Sequence, residues 1–417
     1  MADVRPRVLA ILPGLFPSTV IGVAKPLLRL HQDARITLDL TLQFLATRSA
    51  VERADVVVMC HTIDPQYGVI LDWIRQSRRP LVYEIDDDLL AIPEQIHGLA
   101  YLREPARREQ LIACLRQADV VRVYSPALQE KLSAFNSNVR LVSGPLDWGL
   151  MPLDPPQRES SRTRMVYATS RLDDSIGRRL IGPLGRVLDA NPNVELTIWG
   201  PTLDPLSSHP RVRSLPLIRD YDTFFSRFAR EAFEIGLAPL PDDEFHRGKS
   251  NNKFREYASC GIAGIYSDMS VYNRSVRDRV TGLLVPNDDQ AWVAAIDTLI
   301  GDPGLRQQIG ANARAYAQEH FNETVTDDEW MTTLVPLAGR ARRPAVETGG
   351  GNPDVVVGLA KFVGRLATKI GPVFREHGLS EVWQRSRQHV AGLRQLASWE
   401  LQRRRLQRRV NAQRGRQ

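Results

Sequence analysis

One polar segment of the sequence, residues 247–256, combines positive charge with the start of a predicted helix at Lys253. Backbone N–H groups at a helix start have no partner within the helix, so with basic side chains beside them they form an anion site suited to a diphosphate. Glu256 lies one turn further on, where its carboxylate can accept two hydrogen bonds, as from a ribose diol. The loop residues before the helix are Arg247, Lys249, Ser250, Asn251 and Asn252.

The same segment also has a purely structural interpretation. Ser250 or Asn251 would then cap the helix. Lys253 and Glu256 would form an ordinary surface pair three residues apart. On these residues alone the two interpretations are equally good.

Candidate catalytic groups follow two predicted strands. The triplet Asp86, Asp87 and Asp88 would lie at a strand's carboxyl end, where it would bind hydroxyl groups of a substrate, hold a divalent ion or cap the next helix. His61 follows another strand, where a neutral imidazole would bond a substrate hydroxyl or serve the fold alone. Asp86, Asp87 and His61 are the residues that we predict to be catalytic.

Two hydroxyl residues follow the first predicted strand. Ser18 and Thr19, with Gly22 close behind, stand where the chain can approach the phosphates of a ligand. A turn-forming role explains these residue types equally well.

Several common site motifs are absent from the sequence. There is no G-x-G-x-x-G after the first strand, no G-x4-G-K-[ST], no G-x-S-x-G and no H-E-x-x-H. These absences disfavour the usual nicotinamide site, P-loop chemistry, a serine hydrolase and a zinc site, so we predict no bound metal.

Short apolar strands alternate with helical stretches along most of the chain, which predicts parallel sheets covered by helices on both faces. Residues 150–164 contain three prolines and two serines, a composition typical of a linker. We therefore predict two Rossmann-like lobes, residues 1–150 and 151–340, with ligands bound in the cleft beyond the strand ends. The predicted strands begin at Val8, Val56, Leu81, Val120, Val139, Arg164, Val194, Val212, Ile235, Ile262 and Gly282.

The positive charge of the chain is concentrated at its end. From Arg340 onward there are 17 Lys and Arg against 5 Asp and Glu, a net charge of +12, whereas the rest of the chain carries −5. Residues 353–372 have apolar and basic positions at helical spacing, which favours an anionic membrane surface or a protein partner for residues 353–417. Packing on the body stays open as an alternative, and nucleic-acid binding is the least favoured.

The remaining composition bears on location. Three widely spaced cysteines fit a reducing cytosol, and no apolar run approaches the length needed to span a bilayer. The short apolar stretch near the start is followed by Pro13 and Gly14 and does not match a signal peptide. We therefore expect a cytoplasmic protein.

A family resemblance rests on the segment KSNNKFREYASCGIAGIYSD. It resembles the donor-binding segment of retaining family-4-type (group 1) glycosyltransferases, in which a Lys-x-x-Glu-Tyr-x-x-x-Gly pattern contacts the nucleotide sugar. The resemblance extends over about residues 165–325 and is weaker before residue 150. The residues that match the pattern are Lys253, Glu256, Tyr257 and Gly261.

The resemblance implies a GT-B fold and transfer of a sugar from a nucleoside diphosphate donor without an integral cofactor. It implies that Glu256 binds the ribose and that Arg171 meets the diphosphate. The sequence departs from the family pattern at Ile176, where the family has a lysine, and at Gly248, where it often has a second glutamate. Lys249 and Lys253 would supply the missing positive charge.

Together these observations predict a hexosyltransferase-like enzyme of cell-surface polysaccharide synthesis. It would use a nucleotide sugar and a glycan or lipid-linked acceptor, peripherally at the inner face of the plasma membrane. One alternative is a catalytically degenerate GT-B module within a glycan assembly complex, motivated by Ile176 and Gly248. A GT-B sugar-nucleotide epimerase is another.

Overall fold

The computed structural model describes residues 5–152, 156, 162–170, 179–200 and 204–340. Its first lobe contains a parallel sheet of six strands in the order β2-β1-β3-β4-β5-β6. Apolar side chains cover both faces of the inner strands, as a sheet covered by helices on both sides requires. The strands are β1 (Arg7–Leu12), β2 (Thr37–Leu42), β3 (Val56–Cys60), β4 (Leu81–Glu84), β5 (Val120–Val123) and β6 (Val139–Leu141), and the α-helices are Lys25–Gln32, Arg48–Arg53, Gly68–Gln76, Pro105–Gln117 and Pro126–Leu132.

The second lobe repeats this architecture with a six-stranded parallel sheet in the order β12-β11-β10-β7-β8-β9. The predicted two-lobe α/β fold is confirmed. The strands are β7 (Thr163–Ala168), β8 (Val194–Trp199), β9 (Val212–Leu215), β10 (Ile235–Ala238), β11 (Ala263–Ser267) and β12 (Leu283–Val285), and the α-helices are Ile181–Ala190, Tyr221–Phe228, Glu244–Arg247, Asn252–Ser259, Asp289–Gly301 and Pro303–His320.

In each sheet the chain adds strands first on one side of an inner strand and then on the other. The strand order therefore reverses beside β1 in the first sheet and beside β7 in the second. At such a point two neighbouring connections diverge and leave a crevice beyond the strand ends. The loops after β1, β4 and β5 face those after β7, β8 and β10 across one cleft.

A further helix, Glu323–Ala338, returns to the first lobe. Trp330 is completely buried with the apolar residues of β1 and β3, and its Nε1 donates to the Gly22 carbonyl at 3.2 Å. The Arg122 guanidinium lies 3.9 Å above the Trp330 ring. The lobe boundaries inferred from the sequence remain predictions. The helix Glu323–Ala338, which the sequence assigned to the lobe 151–340, packs on the sheet of the first lobe.

Within the described residues the chain crosses between the lobes twice, and the two crossings lie side by side. The first follows β6 and leads to Leu146, which packs in the second lobe. The second lies between Phe321 and the returning helix. Trp148 joins them, because its Nε1 donates to the Phe321 carbonyl at 3.2 Å and its backbone N–H donates to Glu323 at 2.9 Å.

Candidate functional site

The cleft between the lobes has a volume of about 730 Å³ and is lined from both sides. The first lobe contributes loop residues that follow β1, β4 and β5. The second contributes the helix Asn252–Ser259, the loop before it and an aromatic wall. Polar and aromatic lining residues include Ser18, Asp86, Asp87, Tyr124, Thr169, Ser170, Trp199, Tyr221, Phe224, Lys249, Ser250, Lys253, Arg255 and Glu256.

Lys253 and Glu256 lie in this cleft and are bonded to each other, Nζ to Oε2, at 2.6 Å. The carboxylate is almost buried, whereas the lysine side chain is 27% exposed. The pair at i, i+3 is thus formed, but it faces the cleft and not the outer surface. Of the two residues considered as helix caps, Ser250 lines the cleft. Asn251 makes no side-chain capping bond, and its amide donates to Ser275 Oγ at 2.7 Å.

The loop around the short helix Glu244–Arg247 docks on the first lobe. Phe245 is completely buried among first-lobe apolar residues. Lys249 Nζ lies 3.1 Å from Asp87 Oδ1, and the Ser125 hydroxyl donates to the Gly248 carbonyl at 2.9 Å. Two predicted site residues from different lobes, Lys249 and Asp87, are therefore brought together as an ion pair.

Gly248 occupies a position where the family that this sequence resembles often has a glutamate. It lies at the close contact between this loop and the first lobe. A Cβ atom there would lie 2.7 Å from Asp88 Cβ and 3.3 Å from the Phe245 carbonyl oxygen. A glutamate at 248 would therefore force the loop away from the first lobe. The other departure, Ile176, and the predicted ligand Arg171 lie outside the described residues.

The three aspartates after β4 separate into three environments. Asp86 bonds His61, Asp87 pairs with Lys249, and Asp88 Oδ2 lies 2.6 Å from Lys131 Nζ. The other oxygen of Asp88 accepts the Leu90 N–H at 3.1 Å. Asp88 therefore serves the loop and the interface, whereas Asp86 and Asp87 line the cleft. Within the described ranges, no group of three or more His, Cys, Asp or Glu is arranged to hold a metal ion.

His61 lies directly behind the cleft wall. Its Nε2 is 2.6 Å from Asp86 Oδ1, and its ring meets Phe16 edge-on at 5.7 Å. Its φ of 49° is left-handed, which is costly for a residue with a Cβ and is common at functional sites. Burial opposes the charged forms of both partners. Their mutual attraction outweighs burial, so the pKa of His61 is raised and that of Asp86 is lowered to about 2.

We expect His61→Gln to lower the free energy of unfolding by about 2 kcal/mol, mainly between pH 4 and 6.5. The Asp86 contribution is present above its unfolded pKa of 3.8 and is lost as the pH falls toward 2. The His61 contribution is present below 6.5 and is lost as the pH rises through its raised pKa. Urea unfolding at pH 3, 5.5 and 8.5 measures this dependence.

The control for that experiment is His209→Gln. His209 lies 3.3 Å from Asp189, whose side chain is 77% exposed, so this ion pair contributes little at any pH. An equal loss at all three pH values in His61→Gln would contradict the ion pair with Asp86.

The two hydroxyl residues after β1 have different positions. Ser18 lines the cleft, and its hydrogen bond to Asp86 helps to lower that carboxyl's pKa. Thr19 is completely buried, and its hydroxyl bonds the Gly14 and Phe16 carbonyls at 2.7 and 2.9 Å. Thr19 therefore has the turn-forming role and does not reach the cleft.

Tyr124 lines the cleft, although the sequence did not single it out, and it contacts the buried carboxylate of Glu84. Its hydroxyl donates to Glu84, which also pairs with Arg122 at 3.1 Å. Burial raises the pKa of Glu84 to about 7, although Arg122 and Tyr124 lower it in part. Gly22 is required here, because a Cβ would lie 2.5 Å from Glu84 Oε1. The available signal was the position of Tyr124 at the end of a predicted strand.

An aromatic wall, Trp199, Tyr221 and Phe224, lines the second-lobe side of the cleft. Phe224 meets Trp199 edge-on at 5.3 Å, and Lys253 Nζ lies 5.6 Å from its ring centre. Flat apolar rings beside cations can hold a base next to a diphosphate. The sequence signal was again a strand end, since Trp199 is the last residue of β8.

Comparison with known proteins agrees with this geometry. Residues 253–316, which begin at the cleft lysine, match the family model described as glycosyl transferases group 1. A 74-residue stretch is 34% identical to a D-inositol 3-phosphate glycosyltransferase from Jonesia denitrificans. That match spans 17% of this chain and 18% of the relative.

Solved structures extend the likeness to both lobes. A sucrose-phosphate synthase from Thermosynechococcus elongatus superposes with a TM-score of 0.59 at 16% identity, covering 80% of this chain and 99% of that one. HepE from Anabaena, in complex with UDP-glucose, gives 0.57 at 18% identity, covering 80% and 100%. The fold is that of the GT-B glycosyltransferases. The family match within its second lobe supports a GT-B glycosyltransferase.

Proposed function

We propose that the protein transfers a hexosyl group, with retention of configuration, from a nucleoside diphosphate sugar to a glycan or lipid-linked acceptor. The main support is the position of Lys253 and Glu256, which belong to the segment that matches the group 1 family model. They line a cleft whose opposite wall holds Asp86 and Asp87. HepE, of the same fold, was solved with UDP-glucose. A uridine donor is therefore the first to test.

The donor side must bind a ribose and stabilise a diphosphate leaving group. Glu256 would accept the ribose hydroxyls, and Lys253, released from it, would turn to the diphosphate. Lys249 would join them by leaving Asp87. Fixed cations beside the leaving group stabilise the negative charge that develops there.

The acceptor side would be the first-lobe wall. Asp87, once Lys249 has turned to phosphate, is free to accept a hydrogen bond from an acceptor hydroxyl. Asp86, held from behind the wall by His61, would orient that hydroxyl. Positioning of this kind supplies much of the rate in a two-substrate reaction.

A thermal-shift panel with UDP, GDP, ADP, CMP and TDP, each with and without magnesium, tests the donor site. A ligand at about 100 times its Kd adds about 2.7 kcal/mol of stability, a measurable shift. We expect one nucleoside diphosphate to stand out. No shift with any of them would contradict the proposed donor site.

The packing at Gly248 favours one second candidate, a catalytically degenerate GT-B module that serves as a subunit of a glycan assembly complex. The loop docks on the first lobe without room for a glutamate at position 248. It therefore lacks the carboxylate that often contacts the donor sugar in the family that this sequence resembles. Such a module would bind the free nucleotide as tightly as the nucleotide sugar. Release of nucleoside diphosphate from the sugar donor would exclude it.

We also propose that the protein works in surface-glycan synthesis at the inner face of the plasma membrane, in the cytoplasm. The support is the basic segment 353–417, which lies outside the described residues. No helix within the described ranges combines the length and apolarity needed to cross a membrane.

Deletion of residues 349–417 tests the membrane proposal. We expect it to abolish sedimentation with vesicles that contain anionic lipid and to leave nucleotide affinity unchanged, because basic side chains bind such surfaces at about 1 kcal/mol each. Neutral vesicles are the control. Undiminished sedimentation of the truncated protein with anionic vesicles would rule out this role of the segment.

A further inference from the structure

A cleft residue that neither the sequence patterns nor the family resemblance selected is Arg255, on the helix Asn252–Ser259. It lines the cleft and is 3% exposed. Its Nη1 donates to the Pro145 carbonyl, in the first crossing between the lobes, at 2.9 Å. Gly144 makes room for it, since a Cβ there would lie 1.8 Å from Arg255 Nη1.

The partners of the Arg255 guanidinium are neutral. Besides the Pro145 carbonyl, it bonds the side-chain oxygen of Asn252. Its Nε is buried and has no hydrogen-bond partner among the described residues. Glu256 and Asp86 act on it electrostatically, but no described carboxylate forms an ion pair with it. Desolvation lowers the pKa of Arg255, but an arginine cannot lose its charge in a protein.

The two lysines of the cleft differ in this respect. Lys249 is paired with Asp87, and Lys253 is paired with Glu256. Each lysine charge is therefore already balanced by a carboxylate, which also repels an approaching phosphate. A buried cation held only by neutral groups is costly to the protein and gains most from an incoming anion.

We propose that Arg255 binds the diphosphate of the ligand in the cleft, as a fixed positive charge that needs no exchange of partners. This inference rests on the proposed donor function. Arg255 stands on the same helix as Glu256, so the ribose and diphosphate contacts would be set by one rigid element. It would also supply charge in place of the lysine that the family has at position 176.

The test compares the affinities of UDP, uridine and inorganic pyrophosphate for the full-length protein and its variants by isothermal titration. A hydrogen bond to a charged group contributes about 1.5–3 kcal/mol, so we expect Arg255→Met to weaken UDP and pyrophosphate about 10- to 100-fold. Uridine, which has no phosphate, should keep its affinity within about twofold. Arg255→Lys keeps the charge without the planar fork and should lose less.

The matched control is Arg306→Met. Arg306 is a buried second-lobe arginine that pairs with Glu234 at 3.0 Å and is not part of the cleft lining. Thermal unfolding of both methionine variants separates loss of folding from loss of binding. If Arg255→Met is misfolded, Arg255→Lys decides, because a selective loss of UDP over uridine in that variant supports the same role.

The outcomes separate this inference from the proposed function. Binding of UDP by the wild type and by folded Arg255→Met with equal affinity overturns the inference and leaves the donor site standing. Parallel losses of UDP and uridine also overturn it, since they assign Arg255 a purely structural role at Pro145. A wild type that binds no nucleoside diphosphate of the thermal-shift panel and no pyrophosphate overturns the donor site and the inference together.

Discussion

We expect Lys25→Met to lower the free energy of unfolding by about 3–5 kcal/mol. Lys25 is 3% exposed and lies between two almost buried aspartates. It bonds Asp147, in the first crossing, and Asp222 of the second lobe at 2.7 Å. Methionine fills a similar volume but leaves two carboxylates facing each other in a place that water does not reach. Urea unfolding at neutral pH measures the loss.

Two comparisons make that experiment specific. Arg48→Met removes a cation from the exposed pair with Glu52 and should cost less than about 1 kcal/mol. The triple variant Lys25→Met, Asp147→Asn, Asp222→Asn removes the repulsion and should recover much of the loss. A loss below 1 kcal/mol in Lys25→Met would show that the ion cluster is weak in solution.

We expect Glu256→Ala to weaken nucleoside diphosphate binding by about 1–3 kcal/mol, the cost of removing one partner from a buried polar contact. The carboxylate is nearly buried in the cleft, so solvent cannot replace the hydrogen bonds that it would accept from a ribose. Titration with the nucleotide selected by the thermal-shift panel measures the change. Glu256→Gln keeps one acceptor oxygen and should lose less.

Glu231→Ala is the matched control for the nucleotide measurement. Glu231 is a half-buried carboxylate of the second lobe that pairs with Arg164 and Arg213, and it is not part of the cleft lining. Its loss should leave nucleotide affinity unchanged. The same result in Glu256→Ala would remove Glu256 from the site.

The inner strands could be predicted from sequence because burial on both faces leaves a continuous apolar run, as in Val56–Cys60. The strand Thr37–Leu42 was missed. It lies at the sheet edge, half exposed, and reads as TLDLTL, a pattern without such a run. The helix Glu323–Ala338 was missed too, because its threonines and valines are poor helix formers. Packing of Trp330 and Leu334 on the first sheet stabilises it instead.

The local sequence pattern predicts that Lys253 and Glu256 lie together, because helical spacing alone places them on one side of the helix. The pairing of Lys249 with Asp87 joins residues 162 positions apart and depends on how the lobes dock. The environment of Arg255 depends likewise on Gly144 and Pro145, more than 100 residues away. A sequence shows which side chains carry charge, but their neutralisation in the fold depends on such distant partners.

We expect the adjacent crossings at Trp148 and Phe321 to act as one hinge. Two connections held at one place oppose sliding of the lobes, so we expect the cleft to open by a rotation about this junction. In such a rotation the docked loop around Phe245 would leave the first lobe, so its burial there would oppose opening of the cleft. Since the chain leaves the described structure from the first lobe, an attachment through residues beyond 340 would anchor that lobe. The second lobe, to which we assign the proposed donor site, would then be the one that moves.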